Sequence, residues 1–184
     1  MPPIDNQSRD AQALGAQLQQ AGLEAIGFCT GLSRHGPQWR HDAVLLEDLT
    51  DMEADALGAL LPLVRAQPGQ VLIREGEVGD WMLLILSGTV DITKQTENGE
   101  PSRLAVIKEG AAVGEMSMFD ASPRYATCTA IEPVEAALLT RTTIAKLIAE
   151  HPKVAAKLLV KLTQLLAQRL RNTSNQLVRM LQQK

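Results

Sequence analysis

The chain has 184 residues, 45% of them apolar, which suits one soluble domain with appendages and a single sizeable core. A formal charge of −3 with acids and bases interleaved, together with an aromatic content of only 3%, argues against binding nucleic acid by phosphate attraction or base stacking. The acidic, polar start Met1 to Asp10 is not a signal peptide, and the densest apolar run, Leu158 to Leu166, is broken by Lys161 and Gln164. Cys29 and Cys128 lack a partner spacing, so the expected setting is the cytoplasm, with reduced thiols and no membrane span.

Residues 1–42 read as a polar arm, in which Ala11, Leu14 and Leu18 sit at helical spacing and the irregular stretch Thr30 to His41 follows as a linker. Thr50 and Glu53 then form a T-x-x-E capping box, where each side chain satisfies a free backbone NH, and Pro62 ends that helix nearby. From about Val64 the texture turns to short β-type runs broken by glycine: Gln70 to Arg74, Trp81 to Leu86, Thr89 to Thr93, Leu104 to Ile107, Ala126 to Ile131 and Ala136 to Leu139. Asn98-Gly99 predicts a tight hairpin with positive φ at both residues. Many short strands at near-regular spacing suggest a small barrel or roll.

After Thr140 the pattern returns to helix, first with Ile144, Leu147 and Ile148 on one face, then from Pro152 onward. Leu159, Leu162, Leu166, Leu170, Thr173, Leu177 and Met180 follow steps of three and four, a coiled-coil seam with a stutter at Leu166. The expected fold class is therefore α+β, an antiparallel β-roll between helices. Its units are an arm over 1–42, a roll with flanking helices over 43–152, and a long helix over 153–184 that pairs with a second copy.

Val113-Gly-Glu-Met-Ser-Met-Phe-Asp-Ala-Ser-Pro-Arg-Tyr-Ala-Thr127 carries the chemistry. A short helical turn opening at Gly114 offers backbone NH groups to an anion, and Arg124 adds a planar fork of donors able to grip two phosphate oxygens. Glu115 repels phosphate, but a carboxylate accepts well from a sugar hydroxyl. Gly114 lets the backbone approach a ligand without a Cβ in the way. His35, His41 and His151 show no metal-like spacing. No nucleophile, base and orienting residue gather in one segment, so the chain is not expected to be an enzyme.

The segment V-G-E-M-S-M, spacer, P-R-Y-A-T resembles the phosphate-binding cassette of the cyclic-nucleotide-binding domain family, that of bacterial catabolite activators and protein kinase A regulatory subunits. The usual form there is F-G-E-(L/M)-(A/S)-L, spacer, P-R-(A/S/T)-A-T. Gly114, Glu115, Met116, Ser117, Pro123, Arg124, Ala126 and Thr127 agree at the right spacing, and Glu75-Gly76, Gly79-Asp80 and Ser87-Gly88-Thr89-Val90 match the flanking pattern. The likeness runs over roughly residues 43 to 180. It implies that Glu115 takes a ribose 2′-OH and Arg124 the cyclic phosphate of cAMP or cGMP, with backbone amides near Met116, Ser117 and Tyr125 completing the cradle. Two positions depart from the pattern. Val113 replaces the usual Phe, and Tyr125 stands where a small residue is usual, which leaves the base preference open and places bulk near the pocket. The family's final helix often covers the base, which makes Thr173 and Ser174 candidate lid residues.

The chain ends at Lys184 without the helix-turn-helix that often follows in this family, so direct DNA binding is not expected. The expected role is a stand-alone sensor. Nucleotide orders the cassette, the long helix repacks, and the output passes to an effector protein or the dimer interface. Two alternatives stand beside it: a degenerate adaptor that binds no nucleotide, and a sensor of another anionic ligand such as cyclic di-GMP.

Overall fold

An apolar run such as Trp81–Leu86 has no polar alternate positions, and a strand of that kind is stable only when both faces are covered. The computed structural model describes residues 15, 18–19, 22–35, 39 and 41–182, and in it this run is strand β4 (Trp81–Ser87). Met82, Leu84 and Leu86 face the core beneath the helices, whereas Trp81, Leu83 and Ile85 face a second core between two sheets. The first sheet is antiparallel and runs, edge to edge, through β1 (Glu24–Phe28), β2 (Pro62–Ala66), β9 (Val134–Thr140), β4 and β7 (Ala112–Val113). The second runs through β3 (Val71–Ile73), β8 (Thr127–Ala130), β5 (Val90–Gln95) and β6 (Pro101–Ile107). Together they form the antiparallel roll of an α+β fold.

The six expected β-type runs correspond to β3, β4, β5, β6, β8 and β9. Strands β1, β2 and β7 come in addition. The Asn98-Gly99 hairpin joins β5 to β6, but only Gly99 has positive φ (79°). Gly99 N donates to Thr96 O and Thr96 N to Glu100 O, so the loop is a three-residue turn closed by a left-handed glycine rather than the expected two-residue turn. In the stretch read as an arm and linker, Leu18, Leu23, Cys29, Leu32 and Trp39 are buried, while the helical positions Ala11 and Leu14 lie outside the described residues.

Among the described residues, four α-helices flank the roll. Helix α1 (Asp51–Gly58) carries the capping box, with Glu53 N donating to Thr50 Oγ1 and Thr50 N donating to the Glu53 carboxylate. Helix α2 (Glu115–Asp120) lies in the cassette, α3 (Arg141–Glu150) follows β9, and α4 (Pro152–Gln182) begins at the expected proline. Val154, Ala155, Leu158 and Leu162 of α4 are buried against the helical core. Each fully buried leucine contributes roughly 1.5–3 kcal/mol. The ion pair Lys157–Glu53 (2.6 Å) is partly open, and the buried Lys161 meets Glu47 (2.7 Å) and Asp48 (3.0 Å), whose carboxylates are open to water, so each pair adds about 1 kcal/mol or less. Apolar packing is therefore what anchors the first third of α4.

Beyond Leu162 the helix projects, and Leu170, Leu177 and Met180 are 57–70% exposed. Because Leu162 belongs to the chain's own core, the outward stripe is Thr163, Leu166, Leu170, Thr173, Leu177 and Met180, in unbroken steps of three and four. The stutter expected at Leu166 came from placing Leu162 in that stripe. No helix among the described residues is long and apolar enough to cross a membrane.

Candidate functional site

The cassette is set by two glycines and a tryptophan. Gly114 caps α2 with φ 85°, a left-handed conformation that costs glycine little. A Cβ there would lie 2.8 Å from Arg124 Nη1 and 2.9 Å from Ile73 Cδ1, so the space is closed as well. A Cβ on Gly79 would lie 2.5 Å from Arg124 Nη2. The guanidinium between these glycines stacks on the Trp81 ring, 4.4 Å from its centroid, and its backbone is tied down by Arg124 N donating to Glu77 O at 2.8 Å.

Arg124 is buried, and Nη1 donates to Gly114 O at 2.8 Å, but Nη2 has no hydrogen-bond partner. Burial lowers its pKa, opposed by the nearby acids Asp80, Glu115 and Glu77, and arginine stays charged under such a shift. A buried cation with an unmet donor is costly alone and well placed for an anion. Glu115 is 0% exposed; Oε1 accepts from Arg169 Nη1, while Oε2 is buried without a partner. Within the cassette, one buried donor and one buried acceptor thus remain unmatched, on a cation and a carboxylate that interact electrostatically. That donor set fits an anion joined to a hydroxyl, as a cyclic nucleotide is.

Gly114, Glu115, Ser117 and Arg124 lie together in the cassette, with Ser117 buried and Met116 half exposed on α2. Tyr125 is 55% exposed, its ring 4.2 Å from Lys94 Nζ, which also donates to Tyr125 O and pairs with Glu75. Its bulk is held at the surface. Thr173 Oγ1 and Ser174 Oγ donate to Arg169 O and Leu170 O one turn back, and both residues are exposed, so neither hydroxyl joins the cassette residues.

Arg169 was not anticipated. From α4 it grips the carboxylate of Glu115 with Nη1 and donates Nη2 to Ala112 O at 2.6 Å. A signal did exist. Val154, Leu158, Leu162, Leu165 and Arg169 follow steps of four, four, three and four, which puts the arginine on the buried face of the helix. Among the described residues no group of His, Cys, Asp and Glu could hold a metal ion.

Residues 63–151 match the family model described as the cyclic nucleotide-binding domain. The solved structure of a cyclic nucleotide-binding domain from Methylobacillus flagellatus superposes with a TM-score of 0.75 at 32% identity, covering 86% of this chain and 89% of that one. The chain belongs to the cyclic nucleotide-binding domain family. The domain is also similar to the CRP-like cAMP-activated global transcriptional regulator of Mycobacterium tuberculosis, 34% identical over 129 residues, 68% of this chain and 56% of that protein. The cAMP-dependent protein kinase regulatory subunit of Yarrowia lipolytica is 36% identical over 95 residues, 52% of this chain and 24% of that protein. The chain thus spans about half the length of the first of these relatives and a quarter of the second. As a cyclic nucleotide-binding domain, the matched region is a regulatory module rather than an enzyme.

Proposed function

We propose that this domain is a cytoplasmic sensor of cAMP or cGMP. Arg124 grips the cyclic phosphate through Nη2, with the backbone amides of Met116, Ser117 and Tyr125 beside it, and Glu115 accepts the ribose 2′-OH at Oε2. The pair of unmatched buried atoms, Arg124 Nη2 and Glu115 Oε2, carries this reading. Two relatives named as cAMP-activated and cAMP-dependent make cAMP the first ligand to test.

The output runs through α4. Arg169 holds Glu115 with one nitrogen and Ala112 O with the other, so a sugar engaging Glu115 bears on the helix directly. A ligand shifts such an equilibrium only by its differential affinity for the two helix positions, and a shared carboxylate supplies that difference. Thr173, one turn beyond Arg169, covers the base together with Ser174 once α4 closes. The outward side chains Leu166, Leu170, Leu177 and Met180 pair with a second copy, and an effector protein reads the change.

Calorimetric titration with cAMP, cGMP and cyclic di-GMP, repeated on Arg124→Ala, tests the reading. The expected result is heat with a 3′,5′-cyclic mononucleotide, and a loss of about 2–5 kcal/mol without the arginine. Heat with none of them favours a non-binding adaptor, and heat with cyclic di-GMP alone a different sensor.

A further inference from the structure

The cassette helix is held at both ends by arginines from the C-terminal helices. Arg169 takes its first residue, and Arg141 takes carbonyls of its C-terminal turn: Arg141 Nε donates to Met118 O, and Nη2 lies 3.4 Å from Ser117 O. We propose that Arg141 is a positioning residue that couples the cassette helix α2 to α3, so that ordering of α2 by a ligand is passed to the hinge between β9 and α4.

The placement of Arg141 does not serve its own helix. It is the first residue of α3, where the helix dipole disfavours a cation, and the first turn holds no acid to offset it. The helix start is already capped by Thr140, whose Oγ1 accepts from Thr143 N at 3.0 Å. The guanidinium instead meets the carbonyl end of α2, where a cation is favourable. At that end of the six-residue α2, Ala121, in a left-handed conformation unusual for a residue with a Cβ (φ 59°), donates its N to Ser117 O, and Arg141 meets the next carbonyl, Met118 O. The backbone of Arg141 is meanwhile fixed to the phosphate side of the site. Arg141 N donates to Asp80 O, and the preceding Thr140 pairs in the sheet with Trp81, on whose ring Arg124 rests. One residue therefore joins the cassette helix, the strand end under Arg124 and the first turn of α3.

The ligand arm of this proposal rests on the nucleotide reading; a second arm does not. Hydrogen exchange is followed on the full chain for wild type, Arg141→Ala and Arg141→Lys, with and without saturating cAMP. Without nucleotide, Arg141→Ala is expected to speed exchange about fivefold both at α2 through Ala121 and in the first hydrogen-bonded turn of α3, the effect of about one hydrogen bond. Lysine, which keeps the charge but lacks the fork, is expected to recover part of this. With cAMP, wild type slows at α2 and α3, whereas Arg141→Ala slows at α2 alone. Loosening of α2 with α3 unchanged, or cAMP slowing α3 equally in wild type and Arg141→Ala, overturns the proposal. Wild type that takes up neither cAMP nor cGMP in its place sinks the nucleotide reading, and the nucleotide-free comparison still decides Arg141. Since Arg141 is exposed, all three proteins are expected to fold.

Discussion

Removing Arg169 should loosen the cassette from a distance of 54 residues in sequence. Glu115 is fully buried, and the Arg169 side chain is 36% exposed. Breaking a fully buried ion pair costs about 3–5 kcal/mol, whereas exposed pairs are worth about 0.2–1 kcal/mol. One partner is sealed and the other a third open to water, which places the coupling between these limits, at about 1–2 kcal/mol. Arg169→Ala also strands Ala112 O, so the single variant should lose somewhat more than the coupling alone. The assay is urea unfolding of wild type, Arg169→Ala, Glu115→Gln and the double variant at one fixed protein concentration, since association would otherwise shift the midpoints. Additive effects, with a coupling below about 0.3 kcal/mol, would refute the idea that α4 is fastened to the cassette through the Glu115 carboxylate.

Gly79→Ala drives a Cβ to 2.5 Å from an arginine that is stacked and hydrogen-bonded in place; we expect roughly 1–3 kcal/mol of lost stability, read by urea unfolding, and at least about a tenfold loss of nucleotide affinity. Burial pushes the thiols of Cys29 and Cys128 up to about 12, so a thiol reagent at pH 8 should label neither in the folded protein, and labelling should track unfolding; rapid labelling would show that the segments around them open locally. The carboxyls of Glu53 and Glu75 are held below their ordinary 4.5, chiefly by hydrogen bonds from Lys157 and Lys94. Groups depressed on folding add stability above their unfolded value and lose it as pH falls through the folded one, so the melting temperature should decline below about pH 4.5, and Lys157→Met should flatten part of that decline.

What could be read from the chain was whatever is written in adjacent residues. Gly114, Glu115 and Arg124 sit in one short segment, where a glycine, a carboxylate and a guanidinium close together are legible as a group, and the capping box of Thr50 and Glu53 is just as local. The run Trp81–Leu86 announced a strand covered on both sides, and both cores meet on it. Strand β1 left no such trace, since Glu24–Phe28 is largely exposed and shows no alternation; its place is fixed by pairing with β2 across the chain. Two-residue β7 is too short for any pattern. The role of Gly79 depends on where Arg124 comes to rest, and the partnership of Arg169 with Glu115 is a contact between distant segments. Leu162 was assigned to the wrong stripe because spacing alone does not tell which side of a helix its own domain covers.

The division of one ligand between Arg124 and Glu115 is tested most directly by removing the hydroxyl from the ligand. Titrating wild type and Glu115→Ala with cAMP and with 2′-deoxy-cAMP forms a cycle between ligand and protein. A hydrogen bond to a charged group is worth about 1.5–3 kcal/mol, so wild type should favour cAMP by about 10- to 150-fold. The alanine variant should distinguish the two by no more than about twofold. Equal affinity of wild type for both nucleotides, or undiminished discrimination by the alanine variant, would contradict the assignment of the sugar to Glu115.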